Sequence, residues 1–199
     1  MSDRPPRGPL GILMLDTRFP RIVGDVGNAA SYDFPVIFRT MEGIGSADAV
    51  AAHPDRPRVL AALKANAEAL AAEGAVGLGT SCGFLALYQD DLAAVSPVPV
   101  ATSALLHIKE LKGRKVGVIT ASAKNLTPAH FEAVGASADS PVVGLPDDSS
   151  FAATFLRNGQ TLDREAVERE VVAAGLELVA KHPEVDTVVL ECTNLPPYK

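Results

Sequence analysis

Short apolar runs alternating with helix-patterned stretches constrain this chain more than any other feature of it. Leu10–Leu15 reads as a buried strand and residues 36–39 as a second. An Ala/Leu-rich helix is predicted over 57–73, with Pro57 suited to the first turn and Gly74 as the stop. Strands follow at 75–79, 98–101, 115–120 and 186–190. Between them the pattern predicts helices at 84–95, 105–111, 127–134 and, longest and most amphipathic, 163–181. Strands and helices in this order predict an α/β fold with mainly parallel sheets flanked by helices. Ligands of such sheets bind beyond the carboxyl ends of the strands.

A faint internal repeat refines this expectation. Gly11-Ile12-Leu13 leads to Asp16-Thr17, and Gly117-Val118-Ile119 leads to Thr120 and Ser122. After similar intervals each segment delivers a cysteine, Cys82 and Cys192, just past a predicted strand. Two pseudo-symmetric lobes are therefore expected, residues 1–103 and 104–199, with the active site in the cleft between them.

The chain is 47% hydrophobic and 21% charged, ordinary for a globular protein. A net charge of -6, with Lys and Arg scattered, argues against a nucleic-acid partner. No apolar run approaches the ~20 residues that span a bilayer, so no membrane partner is expected. The polar, proline-rich start lacks the apolar segment of a secretory signal, which makes a reducing cytoplasm the expected compartment. Two cysteines in that compartment are core packing or chemistry rather than a disulfide.

Context favours chemistry. Thr80-Ser81-Cys82-Gly83-Phe84 places a thiol where a strand turns into a predicted helix, facing unpaired backbone N–H groups and the positive end of a dipole. Both would lower the thiol below its reference of ~8.5 and yield thiolate near neutrality. In Glu191-Cys192-Thr193-Asn194-Leu195-Pro196 a second thiol leaves a strand, followed by two hydrogen-bonding side chains. The same small and polar residues also suit plain turns and caps, and the paired placement is what tips the balance. Rival chemistries find little support. His53, His107, His130 and His182 adjoin neither cysteine, no phosphate-binding glycine loop occurs, and no metal-ligand spacing appears.

Cys192-Thr193-Asn194-Leu195-Pro196 resembles the second cysteine motif of the aspartate/glutamate racemase superfamily, which includes hydantoin racemases, maleate isomerases and arylmalonate decarboxylases. Thr80-Ser81-Cys82-Gly83-Phe84 stands where the first motif belongs, and Asp16-Thr17 resembles the pair after the first strand. The resemblance implies a cofactor-independent, metal-free racemase or epimerase of an amino acid or related α-substituted carboxylate, with Cys82 and Cys192 each serving one face of the stereocentre. A decarboxylase or cis–trans isomerase, or a non-catalytic small-molecule binder, are the alternatives on the same scaffold. A small carboxylate is the implied partner, with a homo-oligomer left open. Backbone N–H groups after each cysteine, with Thr193 and Asn194, would supply donors to the developing charge, and Ser81 and Gly83 would also contact the substrate. Asp16 would hold an ammonium group or cap the strand, and Thr17, Thr120 and Ser122 would bind a carboxylate. Gly83-Phe84 departs from the Asn-Thr of amino-acid racemases, so Phe84 points to a less polar substrate part or to packing. Superfamily members also continue well beyond their second cysteine, so a shortened second lobe with a more exposed Cys192 is expected.

Overall fold

The computed structural model describes residues 8–199, and residues 1–7 of the polar start lie outside them. Four parallel strands form a first sheet: β1 (Leu10–Leu15), β2 (Val36–Met41), β3 (Gly77–Thr80) and β4 (Val100–Ala101), in the order β2-β1-β3-β4. Three parallel strands form a second: β5 (Val116–Thr120), β6 (Val142–Gly144) and β7 (Thr187–Leu190), in the order β6-β5-β7. The helices are α1 (Ser46–Ala49), α2 (Arg56–Ala72), α3 (Gln89–Ala93), α4 (Pro128–Glu132) and α5 (Arg164–Lys181). This is the α/β architecture read from the sequence.

The repeat is visible in the topology. In each sheet the first strand lies between the next strand and the strand that leads to a cysteine. The Ser81 N–H donates to the Leu13 carbonyl at 2.9 Å, and the Glu191 N–H donates to the Ile119 carbonyl at the same distance. Both cysteines are thus carried one residue beyond a backbone bond that prolongs the ladder to a central strand. Buried sides of the long helices back the sheets: Val59, Leu63, Ala67 and Leu70 of α2, and Val167, Val171, Ala174 and Leu178 of α5. These positions recur at three- and four-residue spacing, the core stripe of an amphipathic helix. Asp55 and Asp163 cap the two helices by accepting from Arg58 and Ala166 N–H. Gly74 ends α2 with a φ of 96°, a left-handed conformation costly for other residues.

Some predicted elements take tighter or looser forms. The helix expected over 84–95 is a 3-10 segment, Gly83–Tyr88, followed by α3. Gly83, Phe84, Leu85, Ala86 and Tyr88 of this stretch are all buried. The short helix expected at 105–111 is likewise a 3-10 segment, Ala104–Lys109. Strand β6 has three residues, too few for a periodic signal, and the π-helical segment Ala152–Leu156 left no trace in the pattern. Among the described residues no helix is long and apolar enough to cross a membrane.

Candidate active site

Beyond the carboxyl ends of β3 and β7, Cys82 and Cys192 line one cavity of about 20 Å³, space for roughly a single water. Ser81, Gly83, Phe84 and Asn194 line it with them, as do Phe19 and Phe155, and none of its lining side chains is charged. Both cysteines are free thiols. Cys82 is buried and Cys192 half-buried, the order of exposure expected from the sequence.

Each thiol is anchored from behind. The Ser81 hydroxyl accepts from the Leu15 N–H at 2.9 Å, fixing the Cys82 turn to β1. The Thr193 hydroxyl donates to the Ser81 carbonyl at 2.6 Å, so the two cysteine turns are stitched directly together. The Asn194 Oδ1 lies 3.6 Å from the Cys192 thiol, which donates to it, while its Nδ2 donates to Asp25 Oδ2 at 2.6 Å. Asp25, 2% exposed, also accepts from the Gly27 N–H at 2.6 Å and from Arg21 Nη1 at 2.8 Å. An Arg21–Asp25–Asn194 chain therefore sets the amide that faces Cys192. Sequence reasoning passed over Asp25 and Arg21. The signal available was Asp25-Val26-Gly27, an Asx-turn in which the carboxylate accepts from the second residue on.

Glu191 is the other residue missed. It is fully buried, Oε2 accepts from the Thr120 hydroxyl at 2.7 Å, and Oε1 has no partner among the described residues. A Cβ at position 83 would overlap the Glu191 carbonyl and Oε1. Gly83 is therefore the residue that lets this carboxyl lie against the first cysteine turn. Burial pushes the Glu191 carboxyl up to about 7, opposed only by the Thr120 bond.

The thiols are not acidified, contrary to the expectation from strand-to-helix junctions. Cys82 is pushed up to about 12 by burial and then by the Glu191 charge, against the backbone N–H groups of Phe84 and Leu85 and the Arg21 charge. Cys192 is raised well above its ordinary value by the same two causes, with one opposing N–H from Asn194. The turns after both cysteines are short 3-10 segments, so no long helix dipole reaches either sulfur.

The remaining predicted residues divide. Phe84 packs edge-on to His130 with ring centroids 5.2 Å apart, and lines the cavity as well. Thr120 is spent on Glu191. Ser122 is buried and opens onto a neighbouring depression. Asp16 is exposed and accepts from the Gly43 N–H at 3.0 Å, while Thr17 accepts from Arg21 Nη2 at 3.0 Å; neither lines the thiol cavity. No group of three or more His, Cys, Asp or Glu placed to hold a metal occurs among the described residues.

Solved structures share this arrangement of sheets. An aspartate racemase homologue from Pyrococcus horikoshii OT3 superposes with a TM-score of 0.54 over 96% of this chain and 88% of its own, at 16% identity. Arylmalonate decarboxylase does so with a TM-score of 0.55 over 90% and 76%, also at 16% identity. The chain has the aspartate/glutamate racemase fold. Within this fold, sequence relatives point to another reaction. A dimethylsulfoniopropionate lyase of Durusdinium sp. clade D is 28% identical over 95% of this chain and 66% of its own length. Dimethylsulfoniopropionate lyase 5 of Emiliania huxleyi (strain CCMP1516) is 30% identical over 95% of this chain and 40% of its own. The chain thus spans between 40% and 66% of the length of these curated relatives. No protein-family model matches it.

These relatives overturn the racemase or epimerase reading of the sequence. The geometry supplies a physical reason. An amino acid brings an ammonium group, and Asp16, expected to hold it, lies outside the cavity, whose lining carries no carboxylate.

Proposed function

We propose that this chain is an enzyme, a lyase that removes a proton next to a carboxylate and expels a neutral sulfide from a sulfonium substrate, with dimethylsulfoniopropionate as the substrate to test. The observation that carries the reading is the cavity itself: two thiols and three phenylalanine rings, Phe19, Phe84 and Phe155, with no charged side chain. A sulfonium cation is favoured by aromatic faces and needs no hydrogen-bond acceptor, unlike an ammonium. The sequence relatives, named for this substrate, support the same chemistry.

In this reading the two lobes meet at residue 103/104 and one thiolate takes the proton from the carbon bearing the carboxylate. The C–H electron pair becomes the C=C bond of acrylate, and the C–S bond breaks with its pair leaving on dimethyl sulfide. The proton stays on the cysteine until it passes to solvent. Only one base is consumed, so the opposite thiol stays protonated. The substrate's fixed positive charge offsets the raised thiol pKa values, because an opposite charge in a water-poor site favours thiolate. Backbone N–H groups of Phe84 and Leu85 at Cys82, and of Asn194 at Cys192, are the donors on hand for that charge.

Proton NMR of the protein with dimethylsulfoniopropionate tests this. Vinyl signals of acrylate together with dimethyl sulfide are expected. Cys82→Ala and Cys192→Ala should cost unequal amounts, the base at least a hundredfold more than its partner. Exchange of the α-proton with solvent deuterium but no vinyl product would refute the elimination.

A further inference from the structure

Beside the thiol cavity lies a wider depression of about 320 Å³, large enough for a small organic acid. Ser46, Val50 and Leu156 line both spaces, so a single layer of side chains divides them. The thiol cavity, with room for one water, admits no substrate unless this layer moves. Its fixed member is Ser46, whose hydroxyl donates to the Phe155 carbonyl at 2.8 Å. Leu156, by contrast, ends the π-helical segment, where the Arg157 N–H reaches back to the Ala152 carbonyl. Such i→i+5 turns are rare and recur at functional sites.

The depression carries two cations, Lys124 and Arg157, against one carboxylate, Asp147. At its floor Ser122 is 3% exposed, and its hydroxyl has no hydrogen-bond partner among the described residues. A buried hydroxyl left unpaired is unfavourable, and a ligand oxygen placed against it would satisfy it. At its rim stand Lys124 and Arg157. Lys124 pairs with the Asp147 carboxylate at 2.5 Å. Arg157 Nη1 donates to the Asp147 carbonyl at 2.7 Å, and Arg157 has no carboxylate partner among the described residues. Of the two cations only Lys124 is paired with a carboxylate.

We infer that this depression is an antechamber that binds the carboxylate of a small organic acid through Ser122 and Arg157, and that Val50 and Leu156 are the gate from it to Cys82 and Cys192. The inference rests on the reading that the chemistry occurs at the two thiols. It predicts that charged and neutral reagents of equal size reach the sulfurs differently.

The test compares alkylation of Cys82 and Cys192 by iodoacetate and by iodoacetamide, followed by peptide mass spectrometry at pH 9. Arg157→Gln should lower the iodoacetate-to-iodoacetamide rate ratio about fivefold, which corresponds to ~1 kcal/mol. Arg157→Lys should restore most of the ratio, and Ser122→Ala should lower it without changing the iodoacetamide rate. Leu156→Trp should slow both reagents together. An unchanged ratio in Arg157→Gln would overturn the antechamber, as would thiols that react with neither reagent in the folded protein but with both in urea. The readout needs no turnover, so a protein that releases no dimethyl sulfide yet shows the ratio change would lose the lyase reading and keep this one.

Discussion

Replacing Glu191 by Gln should make the folded protein more stable at pH 8 and change it little at pH 5. The carboxyl is pushed from an ordinary 4.5 up to about 7 in the fold. A folded-state value above the unfolded one means that the native state binds more protons between those two limits. Stability is then fully present below about 4.5 and is lost as pH rises through about 7. With ~1.4 kcal/mol per pKa unit, the loss by pH 8 is about 3 kcal/mol. Because Glu191 is fully buried, solvent screening takes little from that figure. The amide keeps the acceptor for the Thr120 hydroxyl and removes the charge, so its stability should not fall over this range. His130 complicates a single profile: burial lowers its pKa, so its contribution is lost as pH falls, the opposite sign. The difference between native protein and variant cancels that term. Urea unfolding at pH 5, 6, 7 and 8 is the assay, and curves that stay parallel across the range would refute the buried-carboxylate reasoning.

Two further substitutions follow from the same contacts. Gly83→Ala places a methyl against the Glu191 carbonyl, which cannot rotate away, and should cost about 1–3 kcal/mol of unfolding free energy in urea; a cost below ~0.5 kcal/mol would mean that the two cysteine turns are not held in contact. Asp25→Asn weakens the hold on Asn194 and on Arg21, and should slow turnover at least tenfold while Cys192 remains alkylatable; full activity would remove the Arg21–Asp25–Asn194 chain from the mechanism.

The sequence revealed the sheets better than it revealed the site. β1 and β5 were legible as unbroken apolar runs and α5 by its helical period, and both cysteines fall at the carboxyl ends of strands, as the α/β pattern requires. β6 was not legible, since three residues carry no period. Glu191 was not legible for a different reason. A glutamate beside a cysteine reads as a surface charge unless one knows that glycine, far away in the chain, leaves it a place inside. Asp16 was misplaced because its strand ends as expected while its carboxylate turns outward to Gly43. Local pattern fixes where a strand stops, whereas the neighbouring loop decides which way its last side chain faces.

The thiol pKa values show why the distinction matters for chemistry. Position at a strand end pointed to acidic, ready thiols, yet closure of the cavity and the Glu191 charge raise both. In the proposed lyase, thiols held neutral in the closed cavity suit a substrate that brings its own cation. Deprotonation would then follow binding rather than precede it. Under that order of events an onium without a removable proton should acidify the cysteines by itself. Tetramethylammonium carries the charge but no carboxylate, so it needs only the aromatic lining of Phe19, Phe84 and Phe155. Its addition should shift the pH profile of iodoacetamide alkylation to lower pH at one or both cysteines, by about one unit for each ~1.4 kcal/mol of charge interaction. Glu191→Gln should shift the profile in the same direction without the ion, because the second largest cause of the raised thiols has been removed. A profile that neither change moves would mean that burial alone sets the thiols, and substrate charge would have no part in activating them.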